Sequence, residues 1–140
     1  MVEVTVTREL NAEAEKVWAI LGDFGNLFWV PGPEKVDVIG SGEGMIRRLH
    51  ITGMEPFDEV LQSLDADQKT FTYAIPKNAV IPFDNYIADV TVSAGADNTS
   101  QVVWHCTLDN GDVPETDAKS MIEGSYTMML DALASNVETS

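Results

Sequence analysis

Four residues place polar chemistry where the surrounding pattern is apolar: Arg47, Glu59, Tyr73 and Tyr86. Each lies in a short run in which apolar and polar residues alternate, and each falls on the apolar parity. In Met45–Ile51 the odd positions Met45, Leu49 and Ile51 are apolar, so Arg47 shares their face while Arg48 and His50 point away. By the same rule Phe57 and Leu61 carry Glu59 inward, Phe71 and Ile75 carry Tyr73, and Ala88, Val90 and Val92 carry Tyr86. Convergent polar groups in apolar surroundings suit the anchoring of a small amphipathic ligand. In an enzyme, Glu59 would serve as general base, with Arg47 or a tyrosine hydroxyl such as that of Tyr86 stabilising an enolate-like oxyanion. A plainer reading stands beside both. Arg47 and Glu59 form a buried pair because inward charges need partners, and the tyrosines are core aromatics with satisfied hydroxyls.

Other chemistry-bearing residues lack the right company. His50 and His105 are the only histidines, on separate strands and without acids at ligand spacing, so no metal site is expected. Cys106 is the single cysteine, which excludes an internal disulfide, and it lies in a strand with no evident activating base. Gly40-Ser41-Gly42-Glu43-Gly44 precedes a strand rather than a helix and contains an acid, so it is a turn and not a phosphate cradle. No cofactor is implied.

The elements that must position these residues are legible from period and punctuation. Val2, Val4 and Val6 alternate with polar residues in a first strand. Asn11 is a candidate cap for a short amphipathic helix carrying Ala14, Val17, Trp18 and Leu21. A second short helix is expected over Phe24–Val30, ended by Pro31-Gly32-Pro33. Strands follow near Lys35–Ile39, Met45–Ile51, Phe57–Asp65, Thr70–Ile75, Asn85–Val92 and Val102–Leu108, with short turns that favour an antiparallel meander. In the last strand two registers stay open. One turns His105, Thr107 and Asp109 inward; the other, favoured by apolar content, turns Trp104, Cys106 and Leu108 inward. After Pro114 the period becomes helical: Ala118, Met121, Ile122, Ser125, Met129, Ala132 and Leu133 share one face, with Tyr126 and Met128 at its margins. Met121, Ser125 and Met129 are then expected to floor a cavity against the sheet.

The 140 residues suit one domain, 1–140, with 44% hydrophobic content and no linker composition or repeat. A formal charge of −15 with only eight Lys and Arg makes nucleic acid and anionic membrane surfaces poor partners. No apolar run approaches a membrane span, and a cytoplasmic location is the default expectation.

The order of elements, together with Val17–Phe24, Gly44-Met45-Ile46-Arg47-Arg48, Glu59-Val60-Leu61 followed by Leu64-Asp65, and Pro82-Phe83-Asp84-Asn85-Tyr86, resembles the START-like (helix-grip) superfamily. It looks most like the bacterial polyketide cyclase/dehydrase branch, related to birch-pollen-type allergens and plant abscisic-acid receptors. The resemblance implies an α+β helix-grip fold: a curved seven-stranded antiparallel sheet around a long C-terminal helix, with two short helices after the first strand. It also implies that Glu59, Tyr73 and Tyr86 line a ligand site, adds Phe83 to that lining, and favours an inward Asp109. The hormone receptors carry a longer gate loop where this chain has Thr52–Pro56, and a His-Arg latch where it has Ile81-Pro82, so hormone-gated signalling is not expected.

The expected function is binding of a small hydrophobic or amphipathic molecule, as a carrier or sequestering protein. The expected ligand contacts are Arg47, Leu49, Ile51, Glu59, Tyr73, Phe83, Tyr86, Asp109, Met121, Ser125 and Met129. The alternative is a cyclase or dehydratase on a polyketide-like or aromatic substrate. A pure interaction module would instead have a filled core and a large exposed apolar patch. The pattern leaves room for a homodimer.

Overall fold

The structure is a computed structural model that describes residues 1–138; the last two positions of the expected 1–140 domain lie outside the described residues. The elements run β1 (Val2–Leu10), α1 (Ala14–Leu21), β2 (Pro33–Ile39), β3 (Ile46–Ile51), β4 (Phe57–Asp65), β5 (Thr70–Ile75), β6 (Asp84–Ala94), β7 (Ser100–Asp109) and α2 (Glu115–Val137). The seven strands form one antiparallel sheet in the order β1-β7-β6-β5-β4-β3-β2. Strands β2 to β7 are a meander, and β1 closes the sheet at the β7 edge. This is the expected α+β architecture, a curved sheet against a long final helix.

Alternation explains the two faces. Val2, Val4, Leu61, Phe71, Tyr73, Ala88, Val90, Val102 and Trp104 are buried on the inner face. The outer face is laced with polar pairs, such as the two-pronged contact of Arg48 on Asp58 at 2.7 and 3.0 Å. His50 meets Asp37 at 2.8 Å on the same side. Helix α2 lies across the inner face on Ala118, Ile122, Tyr126, Leu130, Leu133, Ala134 and Val137. Its far end is tied to β1 by an Arg8–Asp131 ion pair and by the Asn11 backbone N–H, which donates to Glu138 Oε2 at 2.8 Å.

Three expectations are corrected and one open reading is resolved. The second short helix does not form: Phe24–Val30 is a pair of turns closed by Asn26 N–H to Asp23 O and Val30 N–H to Leu27 O, each 3.0 Å. Gly25 is needed in the first of these turns, because its backbone lies so close to Val38 that a Cβ would stand 2.9 Å from a methyl group. Asn11 is not the cap of α1; Glu13 holds that position, with no side-chain bond to the helix. The open register of β7 resolves with Trp104, Cys106 and Leu108 inward. Finally, the buried stripe of α2 is rotated from the expected one and centres on Tyr126, while Met121 and Met128 are each 50% exposed.

Candidate functional site

Between the inner face of the sheet and the first half of α2 lies a cavity of about 360 Å³. Leu49 and Ile51 of β3, Phe57 of β4 and Ile75 of β5 form its sheet wall. Leu27, Val30 and Pro31, from the turns after α1, and Pro33, at the start of β2, close one side. Val80, Ile81, Pro82 and Phe83, from the loop between β5 and β6, close another. That loop is shaped by Asn78, whose Oδ1 accepts from the backbone N–H groups of Val80 and Ile81, both at 2.8 Å. Met54, Met121 and Met128, each half exposed, stand at the rim. Ile122, Ser125, Tyr126 and Met129 present α2 to the interior.

The polar groups gather at one end. Arg47 and Glu59 are directly paired across β3 and β4, and Arg47 Nε donates to Glu59 Oε1 at 2.6 Å. Arg47 is 3% exposed and does not reach the cavity. Its Nη1 donates to the Phe24 carbonyl at 2.9 Å, and its guanidinium lies 4.0 Å from the centre of the Phe24 ring and 5.1 Å from that of Tyr73. Arg47 therefore holds Glu59, and Glu59 is the member of the pair that lines the cavity.

Three tyrosines share the cavity with Glu59, Tyr73 nearest to it. The hydroxyls of Tyr73 and Tyr86 lie 3.4 Å apart, and that of Tyr86 is hydrogen-bonded to that of Tyr126. Trp104 Nε1 donates to the Tyr73 hydroxyl at 3.2 Å, and its indole stacks on the Tyr126 ring at 4.8 Å. Burial pushes the pKa of all three phenols upward, and the nearby Glu59 carboxylate raises that of Tyr73 further. They stand as neutral hydroxyls at physiological pH. Cys106, beneath Tyr126, is also pushed up by burial, which keeps it a thiol.

Of the residues expected at the site, Leu49, Ile51, Glu59, Tyr73, Phe83, Tyr86, Met121, Ser125 and Met129 border the cavity. Two do not. Arg47 stands behind Glu59, and Asp109 follows the outward parity of β7, where Asn85 Nδ2 donates to its Oδ2 at 2.7 Å. His105 shares that parity and bridges Asp89 and Glu3 at 2.9 and 2.6 Å. Tyr126 is the member that sequence reasoning left at the margin. The spacing Ala118, Ile122, Tyr126, Leu130, Ala134 by fours was the available signal. Among the described residues no group of His, Cys, Asp and Glu is arranged to hold a metal ion.

The comparisons with known proteins agree with this architecture. A family model described as "Polyketide cyclase / dehydrase and lipid transport" matches residues 1–138. Among solved structures, XoxI from Bacillus cereus is 28% identical with a TM-score of 0.89, covering 99% of this chain and 97% of that one. A Bacillus thuringiensis protein is 28% identical with a TM-score of 0.87, covering 96% and 98%. Norcoclaurine synthase from Thalictrum flavum, solved with dopamine and hydroxybenzaldehyde, is 16% identical with a TM-score of 0.74, covering 95% and 84%. At that identity the likeness is one of fold. No curated protein matches the chain.

Proposed function

The chain belongs to the polyketide cyclase / dehydrase and lipid transport family, and from that premise we propose that it binds one small hydrophobic or amphipathic molecule inside the sheet–helix cavity. Its role is to carry or sequester that molecule. The observation that supports this best is the lining: a cavity of about 360 Å³ walled by aliphatic, methionine and phenylalanine side chains, with Glu59 and three tyrosines as its polar end. That volume lies within the range of small-molecule sites, and a few polar groups in an apolar wall fix orientation. The cavity also speaks against a pure interaction module, whose core would be filled.

Catalysis has less support. Glu59 has the position of a general base, but one of its oxygens is committed to Arg47. The phenol hydroxyls beside it are bonded to one another. Holding a ligand needs no more than this arrangement provides.

Within the same proposal the chain is one domain, located in the cytoplasm, with room for a homodimer and no role in binding nucleic acid. The −15 charge supports the last point. No helix among the described residues is long and apolar enough to cross a membrane.

Native mass spectrometry of the purified protein, with solvent extraction, tests the reading. A bound small molecule, or a panel of apolar compounds that raise the melting temperature, is expected, since a ligand at a hundred times its Kd adds about 2.7 kcal/mol of stability. A protein that carries nothing and responds to no apolar compound would overturn it.

A further inference from the structure

Hydrogen counting at the polar end of the cavity identifies the head group it is built for. Three tyrosine hydroxyls and the Trp104 indole N–H bring four hydrogens to three contacts: Trp104 to Tyr73, Tyr73 to Tyr86, and Tyr86 to Tyr126. One hydrogen is left over whichever way the hydroxyls rotate. All three tyrosines are 2–3% exposed and all three border the cavity, so the cavity is the place where an acceptor can meet that hydrogen.

Glu59 supplies the complement. Oε1 takes the Arg47 bond, whereas Oε2 has no hydrogen-bond partner among the described residues and is not one of the fully buried unsatisfied atoms. It is an acceptor facing the cavity. A spare donor and a spare acceptor thus border the same apolar chamber.

We infer that the ligand is a neutral compound of one or two rings bearing a hydroxyl, phenol or enol, whose oxygen accepts from the tyrosine cluster and whose O–H donates to Glu59 Oε2. A single hydroxyl satisfies both groups, which a bare hydrocarbon leaves unpaired. A carboxylate brings no proton for Oε2 and sets a second anion against Glu59 between largely apolar walls. Fatty acids and other apolar acids are therefore rejected. The chamber holds the volume of about a dozen waters, enough for a small ring system and too little for a long folded chain.

This inference rests on the cavity being a ligand site, and a matched probe series separates the two. Titration calorimetry at pH 7 with naphthalene, 2-naphthol and 2-naphthoate holds ring size constant and changes only the head group. The naphthol is expected to bind about tenfold more tightly than naphthalene, and the naphthoate more weakly than either. Glu59→Gln should narrow the preference for naphthol over naphthalene, because it alters the acceptor that takes the naphthol O–H. Equal affinity for naphthol and naphthalene, or tighter binding of naphthoate, overturns the head-group inference and leaves the cavity reading standing. Failure of all three to bind overturns both. The wild-type comparison decides the matter even where a variant does not fold.

Discussion

Arg47 and Glu59 face each other across β3 and β4 with Nε and Oε1 2.6 Å apart, and the two sit at different depths: the guanidinium is sealed beneath Phe24 and Tyr73, the carboxylate borders the cavity. This asymmetry makes the arginine a support and the glutamate a contact. The plainer sequence reading of a buried pair holds, and it leaves Glu59 placed to anchor a ligand as proposed.

The pair should be strongly coupled in stability. Removing one partner leaves a buried charge without compensation, a loss of about 3 kcal/mol. Arg47→Leu and Glu59→Leu are each expected to destabilise on that scale, with Glu59→Leu the worse because the stranded guanidinium is the more deeply enclosed. The double variant should recover much of the loss. Chemical denaturation of the four proteins measures this, and additive losses would mean that the pair is not coupled.

His105 gives a stability that depends on pH. Its hydrogen bonds to Asp89 of β6 and Glu3 of β1 raise its pKa in the folded state. A raised folded value means that the contribution is complete below the unfolded value near 6.5 and disappears as pH rises through the folded one. The melting temperature of the wild type should exceed that of His105→Asn most clearly near pH 5.5, and the gap should narrow toward alkaline pH. A gap that widens with pH would contradict the assignment.

Ser125 offers a way to block the cavity without disturbing the core. It borders the cavity from α2, is exposed, and has its hydroxyl 4.0 Å from Met129 Sδ. Ser125→Trp should weaken binding of a cavity ligand at least about tenfold while changing stability by about 0.5 kcal/mol or less. Calorimetry beside thermal melting separates the two effects. Unchanged affinity would place the ligand elsewhere.

The sheet was legible in the sequence because each strand has one buried face, so parity alone gave the inward set, including Arg47, Glu59, Tyr73 and Tyr86. The same logic left two registers open for β7, and the one that apolar content favoured is the one that forms. Asp109 was drawn inward by resemblance, against the parity that Trp104, Cys106 and Leu108 impose. Helix α2 was harder to read because a cavity wall breaks the usual link between apolar and buried. Met121 and Ser125 face the cavity yet remain exposed, while Tyr126, polar at its tip, occupies the centre of the core. The turns at Phe24–Val30 were misread for a similar reason. Their apolar residues serve the cavity and the core, and helical spacing arose without a helix.

The most direct test of internal binding is a two-dimensional amide NMR titration with 2-naphthol. Saturable shifts should concentrate at Glu59, Tyr73, Phe83, Tyr86 and Tyr126. The Trp104 indole N–H should move with them, because it donates to the hydroxyl of Tyr73 rather than touching the cavity itself. Shifts confined to the outer face around His50, Asp58 and His105, or no saturable shift at all, would contradict a ligand held between the sheet and α2.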